Sequence, residues 1–181
     1  KYTLEFFKNE FDIERVSEPE PKPEPTYPDG ISEEYIAGTF DAVGLLSLQV
    51  SKRPDHDIKH ALAPYISLTI ANPSTFVLPH FKKFFSEKSI SPSFRQEDFR
   101  GDIQISGSED ITKFLEMVTT HLFYHYEMAM LFLEDLLPAY EAGYHHEKEG
   151  FLDCLRAYED VVGKPASSKF DVEYFENLWD L

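Results

Sequence analysis

The residues that could do chemistry in this chain are few and scattered. His121 and His125 stand four apart, so on a helix they would share a face. Two imidazoles are half of a zinc site, which needs at least a third ligand. Their neighbours Leu122, Phe123 and Tyr124 read as packing residues instead. His56, His60 and the pair His145-His146 fall in polar stretches and are expected to be solvated. Cys154 is the single cysteine, so no internal disulfide can form. It lies on the apolar side of a predicted helix, where a thiol packs as a small hydrophobe, and it suits a reducing compartment. Asp41 sits near the end of another short helix and is expected to hydrogen-bond there. No phosphate-binding glycine loop, dinucleotide fingerprint or nucleophile elbow is present. The residues therefore point to no cofactor and no metal.

Charge limits the partners. The chain has 181 residues and a formal net charge of −16, with 17 Lys and Arg against 33 Asp and Glu. Residues 1–31 hold four basic and eight acidic residues, 32–105 eight and nine, and 106–181 five and sixteen. The balance is thus −4, −1 and −11 along the chain. A protein that grips a duplex neutralises several phosphates with Lys and Arg. A neutral middle and an acidic final third predict poor non-specific duplex affinity. They suit a solvated helical surface or docking on a basic partner. At 42% hydrophobic and 15% aromatic residues the chain can bury a core. It has no apolar run long enough to span a bilayer. A first residue of Lys is what a processed product or a fragment would show, and residues 1–12 are too charged for a signal peptide.

The elements that must position these groups follow from periodicity. Residues 1–16 place Leu4, Phe7 and Phe11 at helical spacing and read as a docking segment. Residues 17–31 are rich in Pro and Glu and form an extended spacer. Ser32 is an N-cap, with Glu33 and Glu34 in the first turn of a helix running to about Ala42 and stopped by Gly44. Leu46, Leu48 and Val50 alternate as a strand, and Tyr65–Ala71 forms a second after a polar connection over 51–63. A helix follows over 76–85, then strands over 89–94 and 99–106, then a helix opened by Ser108. The strongest helical stretch covers 121–137 and ends at Pro138, with a loop over 140–145. A last amphipathic helix spans 147–162. The tail, 164–181, carries Tyr174, Phe175 and Trp179, an aromatic stripe that must pack on something. With Phe7 and Phe11 it is a candidate partner-docking surface. The order predicts an α+β fold with helices on one face of an antiparallel sheet.

Residues 36–44 read Ile-Ala-Gly-Thr-Phe-Asp-Ala-Val-Gly and are followed at once by a strand. This nonapeptide resembles the signature of the LAGLIDADG homing endonucleases, and the element order over 32–163 is similar to one αββαββα unit of that family with additional C-terminal helices. The resemblance implies that Gly38 and Ala42, with Ala37 and Asp41 alongside, let the first helix pack closely on that of another unit. With one motif, the chain would pair with itself or with a related chain. The resemblance also places the family's metal-binding acid at Val43, which cannot coordinate a metal. Asp41 is offset from Val43 by roughly 200° on a helix and should point elsewhere. Two further positions at which the family often carries functional groups fall at Ser74 and His125, and neither supplies the expected group. The family's DNA-reading face would correspond to Ser47, Gln49, Ser51, Arg53, Ser67 and Thr69, with Arg95, Arg100 and Gln104. Glutamine and arginine can read base edges, so this is a candidate nucleic-acid face, against the plainer reading of a solvated sheet.

The reading is a catalytically degenerate unit reused as a structural or interaction subunit of a larger assembly, such as an organellar or viral particle. The alternative is a non-cleaving nucleic-acid-binding factor, in RNA splicing or transcription. An active endonuclease is the remote third.

Overall fold

A computed structural model describes residues 30–71, 77–97, 100–163 and 169–181. Phe7, Phe11, most of the spacer and Ser74 lie outside the described residues. The chain order is α1 (Glu33–Val43), β1 (Gly44–Lys52), β2 (His60–Ala71), α2 (Val77–Glu87), β3 (Ser93–Glu97), β4 (Arg100–Ser106) and α3 (Ser108–Val118). After a 3-10 turn come α4 (Tyr126–Leu131), a π turn (Phe132–Leu136), α5 (Leu137–Glu141), α6 (Lys148–Val162) and α7 (Val172–Trp179). This is the αββαββα order with further helices behind it.

The four strands form one antiparallel sheet in the order β1-β2-β4-β3. Register runs from Gly44 opposite Leu68 to Lys52 opposite His60, and from Tyr65 opposite Ser106 to Ala71 opposite Arg100. Alternation sends Leu46, Leu48, Leu62, Ile66, Leu68, Ile103 and Ile105 to one buried face. The helices cover that face with Ile36, Phe40, Phe81, Phe85, Phe114, Phe132 and Phe151, all essentially inaccessible. Each such ring contributes about 1.5–3 kcal/mol by leaving water. The other face stays polar and open.

Several local expectations are corrected. The strand β2 begins at His60, five residues before the expected start. Pro64 lies within it, just past Tyr65, the last residue opposite β4, where only one flank is paired. The late helix begins at Tyr126, not His121, and His121 and His125 fall in separate local structures. That helix also runs through Pro138. Leu137 N–H bonds to the carbonyl of Phe132, five residues back, and the widened turn moves the preceding carbonyls away from the proline ring. Gly44 does not adopt a left-handed stop; it is extended, at φ −83°. Its need is space, because a Cβ there would stand 2.2 Å from the Phe40 ring. The tail is an integral part of the domain. Phe175 is fully buried and its ring lies 4.7 Å from Phe151, while Trp179 lies 5.4 Å from Phe151. Tyr174 packs edge-on to Phe175 at 5.0 Å. Tyr174, Phe175 and Trp179 therefore pack on their own chain, Phe175 completely and the other two in part.

His60 and His145 are buried, not solvated. His60 is ringed by Phe170, Tyr174 and Phe175, with its Nδ1 3.2 Å from the Ile58 carbonyl. His145 lies flat on Tyr140, centroids 4.1 Å apart, with His146 at 4.0 Å. Burial, then the neighbouring His146 and His56, push its pKa down to about 4. The unfolded chain protonates this ring near pH 6.5 while the native state refuses the proton. Stability is therefore complete above pH 6.5 and falls as pH drops toward 4. The unfolding free energy from urea titration is expected to be about 2 kcal/mol higher at pH 7.5 than at pH 5, and His145→Gln is expected to remove most of that difference.

Candidate functional site at the foot of the motif helix

Helix α1 is fixed at both ends. Ser32 accepts from Tyr35 N–H at 3.3 Å and opens the helix. The Gly44 N–H donates to the Phe40 carbonyl and passes the chain straight into β1. Ile36, Ala37 and Phe40 point into the core. Ala37 thus belongs to the core and not to the outward face, which corrects its assignment to a pairing surface. Gly38 and Ala42 are exposed, one turn apart, with Tyr35 and Val43 beside them. A Cβ at Gly38 would meet nothing within 4 Å. The glycine, worth about 1 kcal/mol less than alanine in a helix, therefore has no reason within its own chain.

Asp41 turns away from this seam. Its Oδ2 accepts from Phe123 N–H at 2.7 Å and its Oδ1 from His125 N–H at 3.0 Å. The His125 Nδ1 stands 3.3 Å from Oδ1. The carboxylate thereby ties α1 to the loop that opens α4. Burial raises its pKa, but the backbone N–H groups of Phe123, His125 and Tyr124, with the His125 ring, outweigh that and hold it below the usual range. His125 stacks on Phe40 at 4.6 Å, so it is a partner of Asp41 and of the core.

Residues at the foot of α1 do not fit a divalent cation. Val43 is 44% exposed and offers no donor atom. Both Asp41 oxygens are occupied by N–H groups. Among the described residues no group of three or more His, Cys, Asp or Glu is placed to hold a metal. Cys154 is buried and its thiol is pushed up to about 11 by burial first and Asp153 second. It is unreactive at neutral pH.

The open sheet face gathers Ser47, Gln49, Ser51, Ser67, Thr69, Arg100 and Gln104 by alternation and register, with Ser67 opposite Gln104. Arg95 faces Asp102 across β3 and β4, and Arg53 lies just past β1. Each arginine carries a carboxylate partner. Arg95 pairs with Glu97 at 2.7 Å, Arg100 with Asp102 at 2.8 Å, and Arg53 lies 3.9 Å from Asp55. Asp102 also accepts from Thr69 at 2.9 Å. These exposed pairs add little stability, but they leave the face nearly neutral. Sequence reasoning missed Glu97, Asp102 and Asp55. For Glu97 and Asp102 the signal was present, since strand residues two apart share a face; Arg53 and Asp55 lie in the turn after β1.

No protein-family model matches the chain, and no curated protein matches it. Solved structures do. The homing endonuclease I-CvuI, in complex with the I-CreI target and magnesium, superposes with a TM-score of 0.66 at 15% identity, covering 82% of this chain and 94% of I-CvuI. The homing endonuclease I-TnaI gives 0.64 at 19% identity, covering 83% and 97%. The LAGLIDADG homing endonuclease I-SmaMI, bound to cleaved DNA, gives 0.65 at 18% identity, covering 83% of this chain and 48% of that one. The chain thus matches a whole chain of the first two and about half of the third. Its fold is that of the LAGLIDADG homing endonucleases.

Proposed function

We propose that this chain is a non-cleaving unit of the homing-endonuclease fold that pairs through α1 and serves as an interaction subunit of a larger assembly. The observation that carries this reading is the fate of the carboxylate at the end of α1. Asp41 is consumed in holding the loop at Phe123–His125, and the outward foot of the helix is Val43. Neutralised arginines on the sheet face and the net charge of −16 support a partner other than duplex DNA. The seam of Gly38 and Ala42 supports pairing with a second copy or a related chain.

Incubating the protein with a randomised duplex library and Mg²⁺ or Mn²⁺, then sequencing the ends, is expected to show no enrichment of cut sites. Cleavage abolished by Asp41→Asn would overturn the reading. Gel shift with duplex and with structured RNA at low salt is expected to show no complex at micromolar protein. A shift that weakens with salt would favour a nucleic-acid-binding factor instead. Native purification with mass spectrometry is expected to recover the chain with another protein, and recovery as a lone monomer would sink the assembly role.

A further inference from the structure

The exposed face of α1 has two unlike flanks. On one side Asp41 fixes the backbone of the loop before α4. Phe123 and Tyr124 stand out from it, 94% and 79% exposed. The two adjacent rings form one exposed apolar patch held in place by the tethered loop. On the other side an open groove of about 590 Å³ runs between α1 and α2. Gly38, Thr39, Ala42, Val43 and Val77 line it above the buried Phe81, so it opens from the seam itself, and Glu34 is its one charged lining residue. Helix geometry puts the two flanks on opposite sides of the seam. Asp41 lies roughly 60° from Gly38 in one sense, and Thr39 and Val43 about 100–140° in the other. Both flanks also stand at one height, because Asp41 lies between Thr39 and Val43 along the axis.

We propose that Phe123 and Tyr124 of one copy fill the groove at Thr39, Val43 and Val77 of a second copy, around a two-fold axis running along α1. This rests on the pairing reading above and says where the contact area comes from. A rotation about an axis along the helix exchanges the left and right flanks and preserves height. Knob therefore meets groove twice in a closed pair. A two-fold across the helix would not bring them level. Area argues the same way. A stable interface buries roughly 1,200–2,000 Å², far beyond what a glycine and an alanine can bury. Each aromatic side chain supplies about 150–250 Å², and a pair would bury four. Charge selects an apolar contact, since two chains of −16 repel each other elsewhere, and the three named groove residues carry no charge.

Sedimentation velocity of the full chain and its variants tests this. The native chain is expected to dimerise, and Phe123→Ser with Tyr124→Ser to weaken the dimer by about a hundredfold or more. Both rings are exposed, so the monomer's thermal unfolding should not move. Val77→Glu and Tyr124→Lys are each expected to weaken pairing, and the two together to restore it at least about tenfold, which no misfolded variant would do. A double serine variant that dimerises as tightly as the native chain overturns the inference. If Gly38→Arg at the same time yields monomer, the pairing reading survives without it. A native chain that stays monomeric at 100 µM (roughly the top of the usable range) removes both.

Discussion

Asp41→Ala is expected to lower folding stability by about 2–3 kcal/mol and to loosen the loop that opens α4. The carboxylate accepts from Phe123 N–H at 2.7 Å and His125 N–H at 3.0 Å across 82 and 84 residues of sequence. Its removal leaves the partly buried His125 donor and the exposed Phe123 donor without their acceptor, and hydrogen bonds to a charged group are the stronger kind. Urea denaturation at pH 7.5 measures the loss, and hydrogen exchange at Phe123 and His125 reports the loop. Asp41→Asn keeps one acceptor oxygen and is expected to lose roughly 1 kcal/mol. A loss below about 0.5 kcal/mol for the alanine variant, the range of an ordinary surface change, would mean that the tie is not structural. The acid limb provides an independent check. The folded pKa of Asp41 lies below its ordinary 3.8. Its stabilisation is therefore full above that value and disappears as pH falls through the folded pKa. The native chain should lose stability in two stages, first with His145 between pH 6.5 and 4, then with Asp41 below about pH 4. The alanine variant should keep the first stage and show a shallower second, to which Asp102 and Glu109, also held below their ordinary range by Arg100 and Lys113, still contribute.

Gly38 should separate pairing from folding. Gly38→Ala is expected to stabilise the monomer by about 0.5–1 kcal/mol, since the added methyl has open space and better helix propensity. Gly38→Arg is expected to weaken self-association by at least about a hundredfold, because a long charged chain on the seam keeps two helix backbones apart. Sedimentation equilibrium reads both. A Gly38→Arg chain that still dimerises at native affinity would place the interface elsewhere. Salt gives a second readout. Two strongly acidic chains repel, so raising salt from 0.05 to 0.5 M (Debye lengths of about 14 and 4 Å) should tighten the pair. A phosphate-binding surface would respond in the opposite sense.

Element order was legible in the sequence because it rests on local periodicity. Leu46 and Leu48, Ile66 and Leu68, and Ile103 and Ile105 alternate, and Ile111, Phe114, Leu115 and Val118 fall at helical spacing; all of them are buried. The nonapeptide over 36–44 pointed to the same fold, and the outward valine at its foot needed only the residue identity. The site was harder, because its partners come from far along the chain. His125 and Phe123 could not be assigned to Asp41 from a segment that reads as unbroken helix, and the break at 122–125 exists where Asp41 binds those amides. Burial of His60 and His145 required rings from α7 and Tyr140. Pro138 stayed helical because a π turn precedes it. What the sequence determined by itself was the fold and the absence of a carboxylate at Val43, since both are properties of local pattern and residue type. Tertiary structure decided which carboxylate is consumed, which arginines are neutralised and which aromatic rings remain exposed, since each depends on neighbours that only folding brings together.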